Sequence, residues 1–298
     1  MNPFLHRLSL GSMVSSGAVG TLIQDRGLPT GETSEIWNIQ HPEDVAQVYR
    51  SFYEAGAELI GTNTFGANRI KLKRFGLEEK AYELNRRGAE IAHQALPKSC
   101  FIFGSAGPTG ELLAPLGTVT EEEVYGAFRE QSVALAEGGV DVLCFRTMSD
   151  LEEIQIAIRA GQENTNLPIL ATMSFSLGQK GYRTMMGIDP ETAVRALREA
   201  GAQVIGSNCG QGIEEMVGLM AEMRSLDSGY LAAQPNAGTP QWIGEKTVYA
   251  QEPEAFSARV QDLLDLKVSI IGGCCGVLPE HIRQVAMVVK TSTRNPRP

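Results

Sequence analysis

The sequence lacks several features by which whole classes of protein are recognised, and each absence excludes a class. It has four histidines and two tryptophans among 298 residues, and no run approaches the roughly 18 apolar residues of a membrane span. The amino-terminal residues lack the long apolar core of a signal peptide. Lysines and arginines are scattered and the formal net charge is −9. This charge pattern argues against nucleic acid and anionic membranes as principal partners.

Cysteine is also sparse, with five residues in the chain. An odd number of cysteines in a long chain without an export signal indicates reduced thiols rather than a disulfide framework. We therefore predict a cytoplasmic location.

What the sequence does contain is a regular alternation of short apolar runs and segments with helical periodicity. Strands are predicted at residues 13–16, 58–63, 101–104, 140–145, 168–173, 203–207, 230–233 and 268–271. Helices are predicted at 42–55, 78–95, 120–137, 190–200, 213–224, 253–266 and 279–289, and Asp150 is expected to cap another. Eight such units predict one α/β domain, a (β/α)8 TIM barrel over residues 1–298. An open doubly wound sheet is the alternative.

Barrels of this type place their functional residues at the carboxyl ends of the strands. In this sequence polar and aromatic residues follow strands one to four, and asparagines follow strands six and seven. We predict that the substrate contacts Ser16, Gly17, Asn63, Phe65, Ser105, Arg146, Thr147, Asn208 and Asn236. None of the four histidines is at such a strand end, which disfavours a histidine metal site and a Ser-His-Asp triad.

Residues 269–276 (SIIGGCCG) end the eighth predicted strand with two adjacent cysteines among glycines. A disulfide between neighbours would be strained, so Cys274 and Cys275 are predicted to be free thiols. Two soft sulfur ligands in a reduced chain suggest zinc. Cys209, after the sixth strand, lies on the same predicted face and supplies a third sulfur. Cys100 and Cys144 fall at the wrong end of strand three and inside strand four, where buried apolar side chains are expected.

Six stretches carry a resemblance to a known family. They are residues 61–68 (GTNTFGAN), 107–112 (GPTGEL), 208–210 (NCG), 234–238 (QPNAG), 246–249 (KTVY) and 272–276 (GGCCG). From about residue 16 to residue 289, the chain resembles the homocysteine S-methyltransferase family. It is most similar to the homocysteine-binding modules of cobalamin-dependent methionine synthases.

The resemblance implies a methyltransferase in which Cys209, Cys274 and Cys275 hold zinc and the substrate thiol takes a fourth position. A free thiol has a pKa of roughly 8.5, and coordination to zinc deprotonates it. The implied reaction is methyl transfer to the sulfur of homocysteine or a related small thiol, as in methionine biosynthesis. The sequence has no second domain for folate or corrinoid, so we expect the donor to diffuse in or to come from a separate corrinoid protein.

Three positions depart from the family's pattern. Relatives carry acidic residues, which hold the ammonium of homocysteine, where this chain has Ser16, Ser105 and Arg146. An arginine beside an ammonium in a partly desolvated pocket is costly. The departure favours a thiol without the ammonium, or one with a carboxylate or sulfonate that arginine binds in a bidentate manner.

Other interpretations remain open at this point. The chain could be a weakly active homologue, or Arg146 could point into solvent. A methyltransferase for a non-amino-acid thiol or thioether, working with a separate corrinoid protein, is the alternative enzyme. A non-catalytic zinc-thiolate barrel that senses thiols is the alternative from another class.

Overall fold

Eight parallel strands, numbered here in chain order, form one sheet. They are β1 Met13–Val14, β2 Leu59–Gly61, β3 Phe101–Ala106, β4 Val142–Met148, β5 Ile169–Met173, β6 Val204–Asn208, β7 Tyr230–Gln234 and β8 Ile270–Ile271. Their order in the sheet is β1-β8-β7-β6-β5-β4-β3-β2. The two ends meet where Ser15 bridges Leu59 and the Glu58 N–H donates to the Val14 carbonyl over 2.8 Å. The predicted (β/α)8 barrel is confirmed, and the open sheet is wrong.

The computed structural model describes residues 2–29, 31–210, 212–243 and 246–294. The predicted domain bounds of 1–298 extend beyond these residues and stay a prediction. The α-helices are Pro3–Ser9, Val19–Asp25, Trp37–Gln40, Pro42–Glu54, Arg69–Leu72, Ala81–Ala95, Glu121–Glu137, Leu151–Asn164, Pro190–Glu199, Ile213–Leu226, Pro253–Ser257, Val260–Asp265 and Pro279–Arg294. Short 3-10 helices are Ser34–Ile36, Lys73–Phe75 and Glu78–Lys80. Two antiparallel hairpins pair Ser176–Gly178 with Gly181–Arg183 and Gln241–Ile243 with Lys246–Val248.

Several of these helices differ from prediction, and the predicted helix 78–95 begins as the 3-10 helix Glu78–Lys80. The predicted helix 253–266 is two helices, separated by a turn at Ala258 and Arg259 whose backbone stays in the right-handed region. The last helix continues to Arg294, five residues past its predicted end.

Two predicted amino-terminal caps are confirmed: Thr120 forms a reciprocal capping box with Glu123, and the Asp150 side chain accepts from the first turn of its helix. Within the described ranges, none of the helices has the length and apolar character needed to cross a bilayer.

The alternation of side chains along the strands divides the apolar core into two parts. In β4, Leu143 and Phe145 belong to the large cluster between the sheet and the helices, while Val142 and Cys144 belong to a smaller cluster inside the barrel. Phe4, from the first helix, joins the interior cluster and its ring contacts that of Phe101 at the start of β3. The first helix therefore covers the amino-terminal end of the barrel, which leaves the carboxyl ends of the strands for the site.

Glycine is required where neighbouring strands approach most closely. A Cβ at Gly206, in β6, would lie 2.0 Å from the carbonyl oxygen of Ala232 in β7. Gly206→Ala should therefore lower the free energy of unfolding by about 3 kcal/mol, because the buried backbone cannot move aside. Gly126, in the middle of an exposed helical face, is different, because a Cβ added there would have nothing within 4 Å.

Gly126→Ala is the matched control, and it should raise stability by roughly 0.5–1 kcal/mol because alanine loses less backbone entropy in a helix. Urea unfolding followed by circular dichroism measures both changes. A Gly206→Ala protein as stable as the wild type would contradict the close approach of β6 and β7.

Candidate metal centre

Three cysteines meet at the carboxyl end of the barrel. Cys209 directly follows β6, and Cys274 and Cys275 follow β8 after two glycines. Their Sγ atoms all lie within 4.8 Å of one another, and those of Cys274 and Cys275 are 3.9 Å apart. All three are free thiols of intermediate exposure. The predicted meeting of the three sulfurs on one face is confirmed, while their role as metal ligands stays a prediction.

The segment after β7 lies between the two cysteine segments and holds both. The Cys209 N–H donates to the Gln234 carbonyl over 3.0 Å. The buried Asn236 side chain donates to the Gly210 carbonyl and accepts from the Cys275 N–H, each over 3.1 Å. Cys209 has a left-handed φ of 63°, a conformation uncommon for a residue with a Cβ. These bonds fix the backbone that directs the sulfurs toward one point.

Asn208, the last residue of β6, links the cysteines to β4. Its Oδ1 accepts from the Thr147 N–H over 2.7 Å and from the Thr172 hydroxyl over 2.6 Å. Its Nδ2 donates to Thr147 Oγ1 over 2.7 Å and lies 3.6 Å from Cys274 Sγ. Thr147 has a φ of 61° and sits in a β-bulge of β4, so this β-branched residue is strained. Asn208 stabilises that strained conformation.

The three neighbouring sulfurs share protons unequally. Hydrogen bonding from Cys209 and Cys275, helped by the positive charge of Arg146, lowers the pKa of Cys274. The contact with Cys274 raises the pKa of Cys209, because the Cys209 proton is held against the Cys274 sulfur. The cluster thus favours a thiolate at Cys274, and thiolate sulfur is a ligand for soft or borderline metal ions.

The remaining cysteines have the predicted positions. Cys100 and Cys144 are buried, and burial raises the pKa of each to about 12. Such thiols are inert. His281 is buried in the last helix, where Nδ1 accepts from the Leu278 N–H and Nε2 lies 2.8 Å from the Gln251 carbonyl oxygen. Both of its ring nitrogens are therefore used within the fold.

Several predicted substrate residues have side chains that are already bound to neighbouring parts of the barrel. Ser16 Oγ accepts from the Gly61 N–H over 3.0 Å. Asn63 Nδ2 donates to the Ser34 carbonyl and to the Asn38 side chain, over 2.7 and 3.0 Å. A Cβ at Gly17 would lie 2.1 Å from the Val277 carbonyl oxygen, so Gly17 allows close packing there. These residues position the ends of β1 and β2.

Phe65, Ser105 and Arg146 are less constrained. Phe65 is half-buried, with Lys71 Nζ 4.8 Å from its ring centre. Ser105 is buried. Arg146 is only 8% exposed, and its guanidinium carbon lies 5.5 Å from the Phe103 ring centre. The interpretation that Arg146 points into solvent is therefore wrong.

The family of the chain follows from a comparison of its sequence with known protein families. Residues 13–289 match the family described as homocysteine S-methyltransferase. The chain belongs to that family. The predicted resemblance to this family is confirmed.

Curated relatives of this homocysteine S-methyltransferase family member include two mycobacterial proteins. The methionine synthase of Mycobacterium leprae (strain TN) is 28% identical over 303 residues, covering 96% of this chain and 25% of the relative. The methionine synthase of Mycobacterium tuberculosis (strain ATCC 25618 / H37Rv) is 27% identical over 311 residues, covering 97% of this chain and 26% of the relative. The chain thus spans about a quarter of the length of these methionine synthases.

A solved structure has the same fold. The metallated form of the homocysteine methyltransferase MmuM from Escherichia coli superposes with a TM-score of 0.77 at 20% sequence identity. The match covers 93% of this chain and 96% of that one. At this level of identity the superposition shows the shared barrel.

Two residues beside the cysteines in this family member were not predicted as site residues. Burial and the negative charge of Cys275 raise the pKa of Tyr249, whose hydroxyl interacts with that sulfur. Tyr249 lies in the stretch 246–249 that matched the family, which was the available signal. Gln234 donates from Nε2 to Ser15 Oγ over 2.8 Å, and its buried Oε1 has no partner among the described residues. Its position as the last residue of β7 and its place in the stretch 234–238, which resembles the family, were the available signals.

Proposed function

We propose that this protein is a zinc-dependent S-methyltransferase, in which homocysteine or a related small thiol accepts a methyl group. One observation carries the proposal: three free cysteine sulfurs from two strands lie within 4.8 Å of one another at the end of the barrel where such folds place their sites. Membership in the homocysteine S-methyltransferase family supports the reaction type. The methionine synthases that it resembles support homocysteine as the first substrate to test.

The donor set fits zinc. Tetrahedral coordination at a Zn–S distance of about 2.3 Å places the sulfurs about 3.8 Å apart. Cys274 and Cys275 are already 3.9 Å apart, and Cys209 is within 4.8 Å of both. Three protein ligands leave one tetrahedral position open, as in catalytic rather than structural zinc sites. Bound zinc would keep a substrate thiol in its nucleophilic thiolate form.

The residues of the chain would serve this reaction in two ways. Asn208 and Asn236 hold the cysteine segments in place through the hydrogen bonds described above. We propose that the body of the substrate lies toward β3 and β4, beside Ser105, Arg146 and Thr147. The low exposure of Ser105 and Arg146 would limit the access of water to the reacting sulfur. The methyl donor is proposed to be a small molecule or a methylated corrinoid on a separate protein.

Methyl transfer is tested with purified, zinc-loaded protein and homocysteine. We expect methionine to form with at least one of methylcobalamin, betaine and S-methylmethionine as the donor, because the site would supply a thiolate of fixed position. Mass spectrometry of the product, with a labelled methyl group, measures the transfer. Cys209→Ala is the matched control, and it should form no product above the uncatalysed rate.

The outcome also separates the enzyme from a thiol sensor. A sensor would bind homocysteine, detected by calorimetry, and would form no methylated product with any donor. Thiol binding without turnover would therefore contradict the proposed function, even with one zinc per chain.

A further inference from the structure

Arg146 is a buried cation inside the barrel. It follows Val142 and Cys144 at two-residue intervals along β4, and both of those side chains belong to the interior cluster. Phe103, over whose ring the guanidinium lies, belongs to the same cluster. The side chain is therefore directed into the barrel, near the carboxyl ends of the strands.

No carboxylate in the described part of the chain pairs with the guanidinium. Arg146 takes part in none of the ion pairs there, and its buried Nη2 has no hydrogen-bond partner. The Phe103 ring contributes a cation–π contact to the face of the guanidinium, and Nη2 stays without a partner. A buried charge is ordinarily paired, because removing it from water is costly. The buried Nη2 thus calls for a hydrogen-bond acceptor that no described residue supplies.

The position of Arg146 connects it to the cysteine cluster. Its neighbour Thr147 is held in a strained conformation by Asn208, whose Nδ2 lies 3.6 Å from Cys274 Sγ. Arg146 and the cysteines therefore face one space at the carboxyl end of the barrel.

We propose that Arg146 binds the anionic end, a carboxylate or a sulfonate, of the thiol whose sulfur is placed at the three cysteines. This inference rests on the proposed function and narrows its substrate class. A planar guanidinium with free N–H groups binds two oxygens of such a group at once. The same charge disfavours an ammonium close to it, so a mercapto acid without an amino group is the better substrate.

A second role for Arg146 has to be distinguished by experiment. The guanidinium could act only as a counter-ion for the thiolates of the site. In that case its removal would weaken the binding of every thiol by a similar factor, whatever the other end of the thiol carries. A residue that binds the anionic end affects only the thiols that have one.

The test is calorimetric titration of zinc-loaded protein with four thiols. These are 3-mercaptopropionate, 2-mercaptoethanesulfonate, homocysteine and 3-mercaptopropionamide, the last being a neutral match for the first. Wild-type protein should bind 3-mercaptopropionate at least about tenfold more tightly than its amide, since charge-assisted bidentate bonds are lost with the amide. Homocysteine should bind more weakly than 3-mercaptopropionate. The sulfonate shows whether the site prefers the planar carboxylate.

Two variants complete the test. Arg146→Gln should remove the preference for the acid over the amide and leave binding of the amide within about twofold. Arg146→Lys should keep part of the preference, because the charge remains without the planar fork. Zinc content and thermal unfolding of each variant establish that the site is intact.

The possible failures differ from one another. Equal binding of the acid and the amide by the wild type would overturn the role of Arg146 without using any variant. A uniform loss of affinity in Arg146→Gln would overturn it in favour of the counter-ion role. Failure of all four thiols to bind zinc-loaded wild type would contradict the proposed function itself.

Discussion

Replacing Cys274 with alanine is expected to reduce bound zinc from about one ion per chain to a small fraction of that. Zinc in sulfur-rich protein sites is bound with an apparent free energy of about 10–16 kcal/mol, to which several ligands contribute. Removal of one ligand should therefore cost about 3–4 kcal/mol, a loss of roughly 10²- to 10³-fold in affinity. Among the described residues, no histidine, aspartate or glutamate joins the cluster as a replacement ligand. Cys209→Ala and Cys275→Ala should behave in the same way.

The control for this experiment is a cysteine of the same barrel that lies outside the cluster. Cys144 is fully buried in β4, and Cys144→Ala should keep its zinc while losing about 1 kcal/mol of stability to the small cavity. Elemental analysis of protein purified under reducing conditions measures the zinc content. A triple variant, with Cys209, Cys274 and Cys275 all replaced, that still held one zinc per chain would disprove the assignment.

Asn208→Ala is expected to damage both the fold and the metal centre. Asn208 is fully buried, and its side chain satisfies the Thr147 N–H and the hydroxyls of Thr147 and Thr172. Its loss leaves buried donors without a partner and removes the bonds that offset the backbone strain at Thr147. The free energy of unfolding should therefore fall by about 2–4 kcal/mol. The side chain also lies 3.6 Å from Cys274 Sγ. By analogy with other residues that orient metal ligands, zinc affinity should fall about 10- to 100-fold.

A second buried asparagine separates the two effects. Asn85 is also fully buried and donates to the Ala67 and Ala81 carbonyls, while its Oδ1 accepts from Gln131. Asn85→Ala should lower stability by a similar amount and leave zinc affinity unchanged, because it touches none of the cysteines. Urea unfolding of metal-free protein gives the stability, and competition with a chromophoric chelator gives the zinc affinity. Equal zinc affinities in the two variants would mean that Asn208 does not orient the ligands.

The barrel and its cysteine cluster were predictable because each depends on a strong local pattern. Eight apolar runs with helical segments between them allow few other folds, and parallel strands bring their carboxyl ends to one face. Cys209, Cys274 and Cys275 each follow such a run. Their convergence therefore required no knowledge of side-chain conformation.

The substrate side of the site was less predictable, for two physical reasons. A strand end shows which residues are near the site, and it does not show which hydrogen bonds they make. The side chains of Ser16 and Asn63 are used by Gly61 and Ser34, which lie elsewhere in the sequence. In addition, β4 continues through a bulge to Met148, so Arg146 belongs to the strand and not to the loop after it. A bulge of this kind has no reliable sequence signature.

The three cysteines belong to the last three strand–helix units, whereas Arg146 belongs to the fourth. If the two proposals hold, the chemistry of the sulfur and the choice of thiol are encoded in different halves of the barrel. The bonds between Asn208 and Thr147 are a direct link between these halves beside the cysteines. Variation in the amino-terminal half could then alter which thiol is accepted while the carboxyl-terminal half is inherited intact. Exchange of half-barrels between relatives would be a natural route to new specificity.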